Sequence, residues 1–523
     1  MKLARKKRAP TAVYVSPSQL YLDSFKTPFD EQLLKTNRWV VLAGLIPWDE
    51  ICGLYLKHVG VSPTGRPALS PRVVIGSLMI KHLCNLDDRE TVEQISENMY
   101  MQYFLGYSSF TPKCPFDASL FVEFRKRLGM ESVNAINERI IALKTRLGSS
   151  EDKSGPTQED GGPKDKNDCT DQDKGKSENR GRVIFDATAC PQDIAYPTDL
   201  DLLSDAREKT EELIDKLYSP LIHEKKPRTY RRVARRRYLL TAKKKNKTKK
   251  ELHKAVGSQL RFVRRNLNSI GKLLDTCPVI PLKPKDYKYL LVINTLYDQQ
   301  KQMYKNRVHQ VDDRIVSIHQ PHVRPMVRGK AQAKVEFGSK IHLSLVDGIS
   351  FLDELSWDAF NEGSHMMDYV EKYRLRFGCY PREVLADQIY CTRINRAALK
   401  EKGIRLLAKP LGRPSAVPNH VSPGERNPVE GKFGQAKTAY GLNRVRARLQ
   451  NTSESWIASI ILVLNLVKLA GAALLCPMFR ITESFSARCP MESLTWFVNH
   501  IWMKVEPEFR ISASGQLNDL KLA

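Results

Sequence analysis

Ten cysteines are scattered through 523 residues, and no two stand at the C-x-x-C spacing of a zinc or redox site. They read as reduced core thiols rather than as a disulfide frame. Acidic charge is the scarce sign. Asp and Glu number 58 against 84 Lys and Arg, for a formal net charge of +26. That balance excludes an acidic, solvating protein and points to a polyanionic partner, nucleic acid first. Long apolar runs are also few. The basic N-terminus is followed by Thr11–Val15, too short for the apolar core of a signal peptide. The one long run, Trp456–Cys476, carries Asn465 and Lys468 near its middle, so a buried core helix is expected rather than a membrane span. Residues 149–182 contain no aliphatic and no aromatic side chain. Such a segment cannot bury enough surface to offset chain entropy, and a flexible linker is expected there.

The 41% of hydrophobic residues is ample for cores on either side of that linker. Residues 1–148 read as helical. Ser70-Pro71 looks like a cap followed by proline at the first helical position, opening an amphipathic helix with Val74, Leu78, Ile80 and Leu83 on its apolar face. Further helices are expected at about 91–98, 117–128 and 131–146. The 117–128 helix ends in Arg125, Lys126 and Arg127, which suits a helix-turn-helix-like DNA reader as well as it suits a solvated helix face.

Beyond the linker, Val183–Asp186 is a short apolar run that ends in a carboxylate. A helical region over about 200–318 follows. Within 225–250 it holds fourteen Lys and Arg and no acid. Arg231, Arg232, Arg235, Arg236 and Arg237 lie at its centre. Charges of one sign at this density repel one another, so a bound polyanion is the better account of them. Strands are then expected at 340–346 and 349–357, joined by Asp347-Gly348 as a type I′ hairpin turn. Next come a helix at 364–377, a strand at 383–387, a helix at 394–402, a strand at 404–408 and a helix from 428 toward 449. Strands interspersed with helices imply an α/β fold, a mixed sheet with helices packed on its faces. The resulting division is a helical domain (1–148), the linker (149–182), an α/β core (183–450) and a C-terminal helical region (451–523).

Two of the expected strands finish on an aspartate, Asp186 and Asp387, although aspartate is unfavourable within strands. If the strands are neighbours, both carboxylates emerge at one sheet edge. Glu430, at the start of the 428–449 helix, offers a third. Three carboxylates would suit two Mg²⁺ ions, with Mn²⁺ able to substitute, in phosphodiester chemistry. Taken singly, each has an ordinary reading too: Asp186 as the start of a turn, Asp387 as a cap, and Glu430 as part of an Asn-Pro-x-Glu capping box. Lys437 lies seven positions after Glu430, about 20° around the helix from it. Arg426, just ahead of the helix, is placed to reach a phosphate.

With these blocks in view, the chain resembles DDE-type bacterial insertion-sequence transposases, with their helical N-terminal domain and RNase H-like catalytic core. Residues 70–128 are similar to the N-terminal domain. VIFDATACPQDIAYPTDLDLL (183–203) resembles the first-aspartate block, EVLADQIYCTRINR (383–396) the second, and RNPVEGKFGQAK (426–437) the glutamate block. The resemblance implies metal ligation by Asp186, Asp387 and Glu430. It implies binding to terminal inverted repeats, strand cleavage and strand transfer into target DNA. It also implies at least a dimer on DNA, and a site of action in the bacterial cytoplasm at the nucleoid. Arg426 and Lys437 match the Arg and Lys of the Tyr–Arg–Glu–Lys signature, whereas its Tyr position holds Pro423. The alternatives are an RNase H-like nuclease without strand transfer, a domesticated DNA-binding protein without activity, and an RNA binder that uses only the basic helices. Three intact carboxylates argue against inactivity.

Overall fold

The computed structural model describes residues 29, 33–58, 69–151, 179–277, 281–327, 335–408 and 423–486. Most of the expected linker (152–178) and the C-terminal stretch from 487 lie outside the described residues. The linker's two edges are regular structure: helix runs on through Glu151, and strand begins at Arg182.

The N-terminal helices are α1 (Arg38–Leu45), α2 (Trp48–His58), α3 (Pro71–Leu83), α4 (Asp88–Glu97), α5 (Met99–Phe104), α6 (Leu120–Arg127) and α7 (Met130–Glu151). Proline opens α3 as expected, but the Ser70 hydroxyl makes no cap bond. The expected amphipathic face is not found. Every residue from Pro71 to His82 is buried, so α3 is the central rod of the bundle. Two of its buried cations are paired in place. Arg72 Nε donates to the Phe104 carbonyl at 2.9 Å, and Lys81 Nζ to the Leu86 carbonyl at 2.8 Å. A capping box between Asp87 and Glu90 starts α4.

The sheet contains β1 (Arg182–Pro191), β2 (Arg324–Val327), β3 (Val335–Val346), β4 (Ile349–Ser356), β5 (Glu383–Leu385) and β6 (Arg405–Leu407). The order is β2-β3-β1-β5-β6, with β4 also on β3. β1 and β4 pair antiparallel with β3, while β5 and β6 run parallel to β1. Asp347 and Gly348 both take positive φ, 50° and 79°, as a type I′ turn between β3 and β4 requires. β1 and β3 approach so closely at Gly338 that a Cβ there would stand 2.0 Å from the Cys190 carbonyl oxygen.

Between β1 and β2 lie α8 (Asp199–Leu217), α9 (Arg231–Ala242), α10 (Lys249–Asp275) and α11 (Pro284–Asn306). α8, α10 and α11 share a core of their own, with Leu202, Leu203, Val256, Leu260, Val263, Ile293 and Leu296 at its centre, and α9 rests against α8 and α10. The expected 200–318 helical region is therefore four helices, with irregular chain after 306. Around the sheet stand α12 (Met366–Phe377), α13 (Arg393–Glu401) and α14 (Asn427–Thr438). The sheet core joins Val183, Phe185, Val346, Phe351, Tyr369, Val370 and Val384. The expected 428–449 helix stops at Thr438, because the chain turns through Gly441 at φ +73°.

The last helix, α15, covers Gln450–Ser486. Two compact units divide within it, residues 1–466 and 467–523. In the first unit the N-terminal helices, the sheet and the start of α15 pack together. Asn465 Nδ2 donates to Asn137 Oδ1 of α7 at 2.9 Å and to the Ser350 carbonyl of β4 at 2.7 Å, and its Oδ1 accepts from Ser350 N–H at 2.8 Å. Gln450–Gly471 is long and apolar enough to cross a membrane, but 67% of its apolar window is buried inside the protein, as in a core helix.

Candidate active site

β1 and β5 are neighbours, and their parallel register pairs Ile184 with Leu385. Two residues further along each strand direction stand Asp186 and Asp387. Asp186 sits within β1, its Oδ1 accepting from Ala187 N–H at 2.8 Å. Asp387 follows β5 and caps a 3-10 turn (Gln388–Tyr390), accepting from Gln388 N–H at 2.7 Å. The capping reading of Asp387 is thus correct as local structure, and it also fixes where the carboxylate points.

Glu430 lies in the first turn of α14, which packs on β1 through a face with Val429, Phe433 and Ala436 buried. No side-chain cap closes that helix, so Glu430 is not a member of a capping box. Its carboxylate is exposed and close enough to act on Asp186. Burial pushes the Asp186 carboxyl up to about 6, and the charges of Asp387 and Glu430 push in the same direction. The Ala187 N–H and the Arg426 guanidinium oppose the shift.

Arg426 spans the two aspartates, with Nη1 3.2 Å from Asp387 Oδ1 and Nη2 3.7 Å from Asp186 Oδ2. It is delivered there by its neighbour. Glu425 pairs with Arg182 at the start of β1, on the strand face that carries Asp186 four residues later. That tether was not read from the sequence. The Arg182–Asp186 spacing is the signal that could have found it. Tyr390 was also missed. It is 1% exposed, its hydroxyl has no hydrogen-bond partner, and its ionisation is opposed by burial first and by the charges of Glu362 and Asp186 next.

Lys437 is half-buried on α14, and a Cβ at Gly434 would meet open space, so no protein segment requires glycine there. The basic residues divide into two groups. Arg125 is buried and bound to Asp88 at 2.9 and 2.8 Å, so it is not available as a DNA contact. Lys126 is exposed and paired with Glu123 at 2.8 Å, and Arg127 is exposed and hydrogen-bonded to Tyr55. On α9, Arg231 is exposed but already paired with Asp215 and Glu211 of α8. Arg232, Arg235 and Arg236, with Leu239, Leu240 and Lys243, line an open groove of about 470 Å³. Arg237 is exposed and lies 5.8 Å over the Phe262 ring.

Among the described residues, no three His, Cys, Asp or Glu side chains are gathered closely enough to hold a metal ion. The donor chemistry nonetheless suits a hard cation. The three groups are all carboxylates, the oxygen donors that hard cations take.

Two family models match the chain. The transposase domain (DUF772) matches residues 27–127, and the transposase DDE domain matches residues 384–467. The chain is 30% identical over 186 residues to an uncharacterized protein, ORF8 in the nfe locus of Rhizobium meliloti, a match covering 35% of this chain and 75% of that protein. No solved structure matches it significantly. A helical N-terminal region ahead of a mixed α/β sheet, matched by a transposase domain in the first and a DDE domain in the second, defines the class of protein. The chain belongs to the DDE-type insertion-sequence transposases.

Proposed function

We propose that this transposase binds the terminal inverted repeats of its element, cleaves the DNA strands there and joins them to target DNA. The observation that carries the reading is the register of β1 on β5, which sets Asp186 beside Asp387 with Glu430 acting on the same carboxyl. The strand order, with β3 antiparallel and β5 and β6 parallel to β1, supports an RNase H-like core.

Asp186, Asp387 and Glu430 would hold divalent metal, Mg²⁺ or Mn²⁺, as a pair of ions. When bound, such ions make a water or a 3′-hydroxyl nucleophilic and stabilise the leaving oxygen. The protein's own residues bind and orient the DNA. Arg232, Arg235, Arg236 and Arg237 present an exposed cationic helix to the phosphate backbone. Lys437 and Arg426, flanking Glu430, would hold the strand that carries the scissile phosphate. Two element ends must be held together for joining, so the active form on DNA is a dimer or larger. It acts in the cytoplasm, at the bacterial nucleoid.

The test is cleavage of DNA bearing an element end by Asp186→Asn, Asp387→Asn and Glu430→Gln. Each variant should retain end binding and lose cleavage. Normal cleavage by all three would show that the catalytic carboxylates lie elsewhere.

A further inference from the structure

Two arginine–carboxylate contacts in this protein differ in kind. Arg125 closes a fork on Asp88, with both nitrogens within 2.9 Å of the two oxygens of one carboxylate. Arg426 does not close a fork on either aspartate. It reaches one oxygen of Asp387 at 3.2 Å and one of Asp186 at 3.7 Å, and its buried Nε has no hydrogen-bond partner. The Arg426 and Asp186 side chains are each only 20% exposed, whereas Asp387 is 57% exposed, so solvent screens the Asp387 side of the bridge more than the Asp186 side. The Arg426 backbone is anchored by Glu425 on Arg182, while its head group sits between two carboxylates in a half-made geometry.

We propose that Arg426 is the counter-cation of the metal-free protein: bridging Asp387 and Asp186, it holds the carboxylates together and gives way when a divalent cation enters between them. The inference rests on the assignment of these carboxylates as the metal ligands. One guanidinium between Asp186 and Asp387 leaves the pair with excess negative charge, to which the nearby Glu430 adds, and that charge attracts a cation of higher charge. The incoming ion meets the guanidinium as a like charge, so the two compete. Competition is reciprocal, and the metal therefore weakens the hold of the aspartates on Arg426 by the factor by which Arg426 weakens the metal. The displaced guanidinium is then available to a phosphate, which removes the conflict between a residue at the carboxylates and a residue on DNA.

The experiment is Mn²⁺ binding to the DNA-free protein, followed by calorimetry and by the electron paramagnetic resonance of unbound Mn²⁺. The proteins are the wild type, Arg426→Gln, Arg426→Lys and Asp186→Asn. The expected result is binding about tenfold tighter in Arg426→Gln, with Arg426→Lys between it and the wild type because a lysine cannot span both aspartates. The metal-free Arg426→Gln protein should melt lower than the wild type and gain more from Mn²⁺. Unchanged or weaker Mn²⁺ binding in Arg426→Gln, while Asp186→Asn loses it, would overturn the proposal and leave the metal ligands standing. Undiminished binding in Asp186→Asn would instead remove the ligand assignment on which the proposal rests. Absence of binding in both the wild type and Arg426→Gln overturns it as well. If Arg426→Gln does not fold, Arg426→Lys carries the same comparison.

Discussion

Arg125 on α6 grips Asp88 on α4 through two parallel bonds of 2.9 and 2.8 Å, and the same carboxylate takes Lys81 of α3 at 2.9 Å. Both cations lie over the Trp456 ring of α15, Lys81 at 4.7 Å and Arg125 at 5.4 Å. One acidic residue and one indole thus tie three N-terminal helices to the helix that follows the catalytic core.

Arg125→Ala should therefore act on stability rather than on DNA affinity. Removing the arginine, itself 4% exposed, leaves Asp88 part-exposed with Lys81 still bound, so the loss is about 1–3 kcal/mol. Arg125→Lys keeps the charge but not the fork and should recover part of that loss. Urea unfolding measures the change in stability, and binding to nonspecific duplex under folding conditions measures the DNA affinity. A stable Arg125→Ala protein with weakened DNA binding would show that this arginine works at the surface.

Asp353 supplies the pH dependence. Burial pushes its carboxyl up, but the His342 hydrogen bond, the Arg376 charge and the Ser344 hydroxyl outweigh burial and hold it below the usual aspartate range. Burial likewise depresses His342, against the pull of Asp353. Both folded values lie below the unfolded ones. The stability from each is present above its unfolded value and is lost as pH falls through the folded value. The histidine contribution declines first, below about 6.5, and the aspartate contribution below about 4. Urea midpoints measured from pH 7 to pH 3 should fall more steeply for the wild type than for Asp353→Asn, which starts lower. Parallel curves would mean that this pair does not govern the acid limb.

How far these features could be read from sequence depends on whether their partners are local. The hairpin at Asp347-Gly348 is legible because a type I′ turn requires positive φ at two adjacent residues, and few pairs adopt it cheaply. The pairing of Asp186 with Asp387 is legible only in part: Asp387 follows β5 closely, but β1 runs on to Pro191, so Asp186 stands within its strand and not at its end as expected. The burial of α3 is not legible. Arg72, Lys81 and His82 look like a solvent face, and only distant groups, such as the Phe104 carbonyl, show otherwise. The same holds for Arg125, whose partner is 37 residues away, and for Arg231, bound to Asp215 sixteen residues earlier. A run of five arginines on α9 reads uniformly in sequence, yet the first of them is tied to two acids of α8.

That division predicts different results for neighbouring arginines. Replacing Arg232, Arg235 and Arg236 by Gln should weaken duplex binding and flatten its dependence on salt, by about 0.9 in the log–log slope for each phosphate that the variant no longer neutralises. Arg231→Gln should leave the slope close to that of the wild type and lower stability instead, because Asp215 and Glu211 are deprived of a partner. Filter binding across a range of salt concentrations separates the two. Equal slopes for all variants would place the α9 groove away from DNA.

Asp186, Asp387 and Glu430 offer only carboxylate oxygens, so hard cations are favoured over zinc. Mg²⁺ binds at ~2.0–2.1 Å in a strict octahedron, whereas Ca²⁺ accepts larger, irregular shells at ~2.3–2.6 Å. In-line attack at phosphorus requires the reacting oxygens to be close and aligned, and a misplacement of about 1 Å costs roughly a hundredfold in rate. Ca²⁺ should therefore relieve the acidic cluster and support the complex with end DNA without supporting cleavage. Mn²⁺, whose coordination resembles that of Mg²⁺, should replace it. The measurement is strand cleavage of end DNA in Mg²⁺, Mn²⁺, Ca²⁺ or chelator, with binding scored in parallel. Cleavage should appear in the first two, binding alone in Ca²⁺, and neither cleavage nor a strengthened complex in chelator. Full cleavage in chelator would remove the metal from the mechanism, and the three carboxylates would need another role.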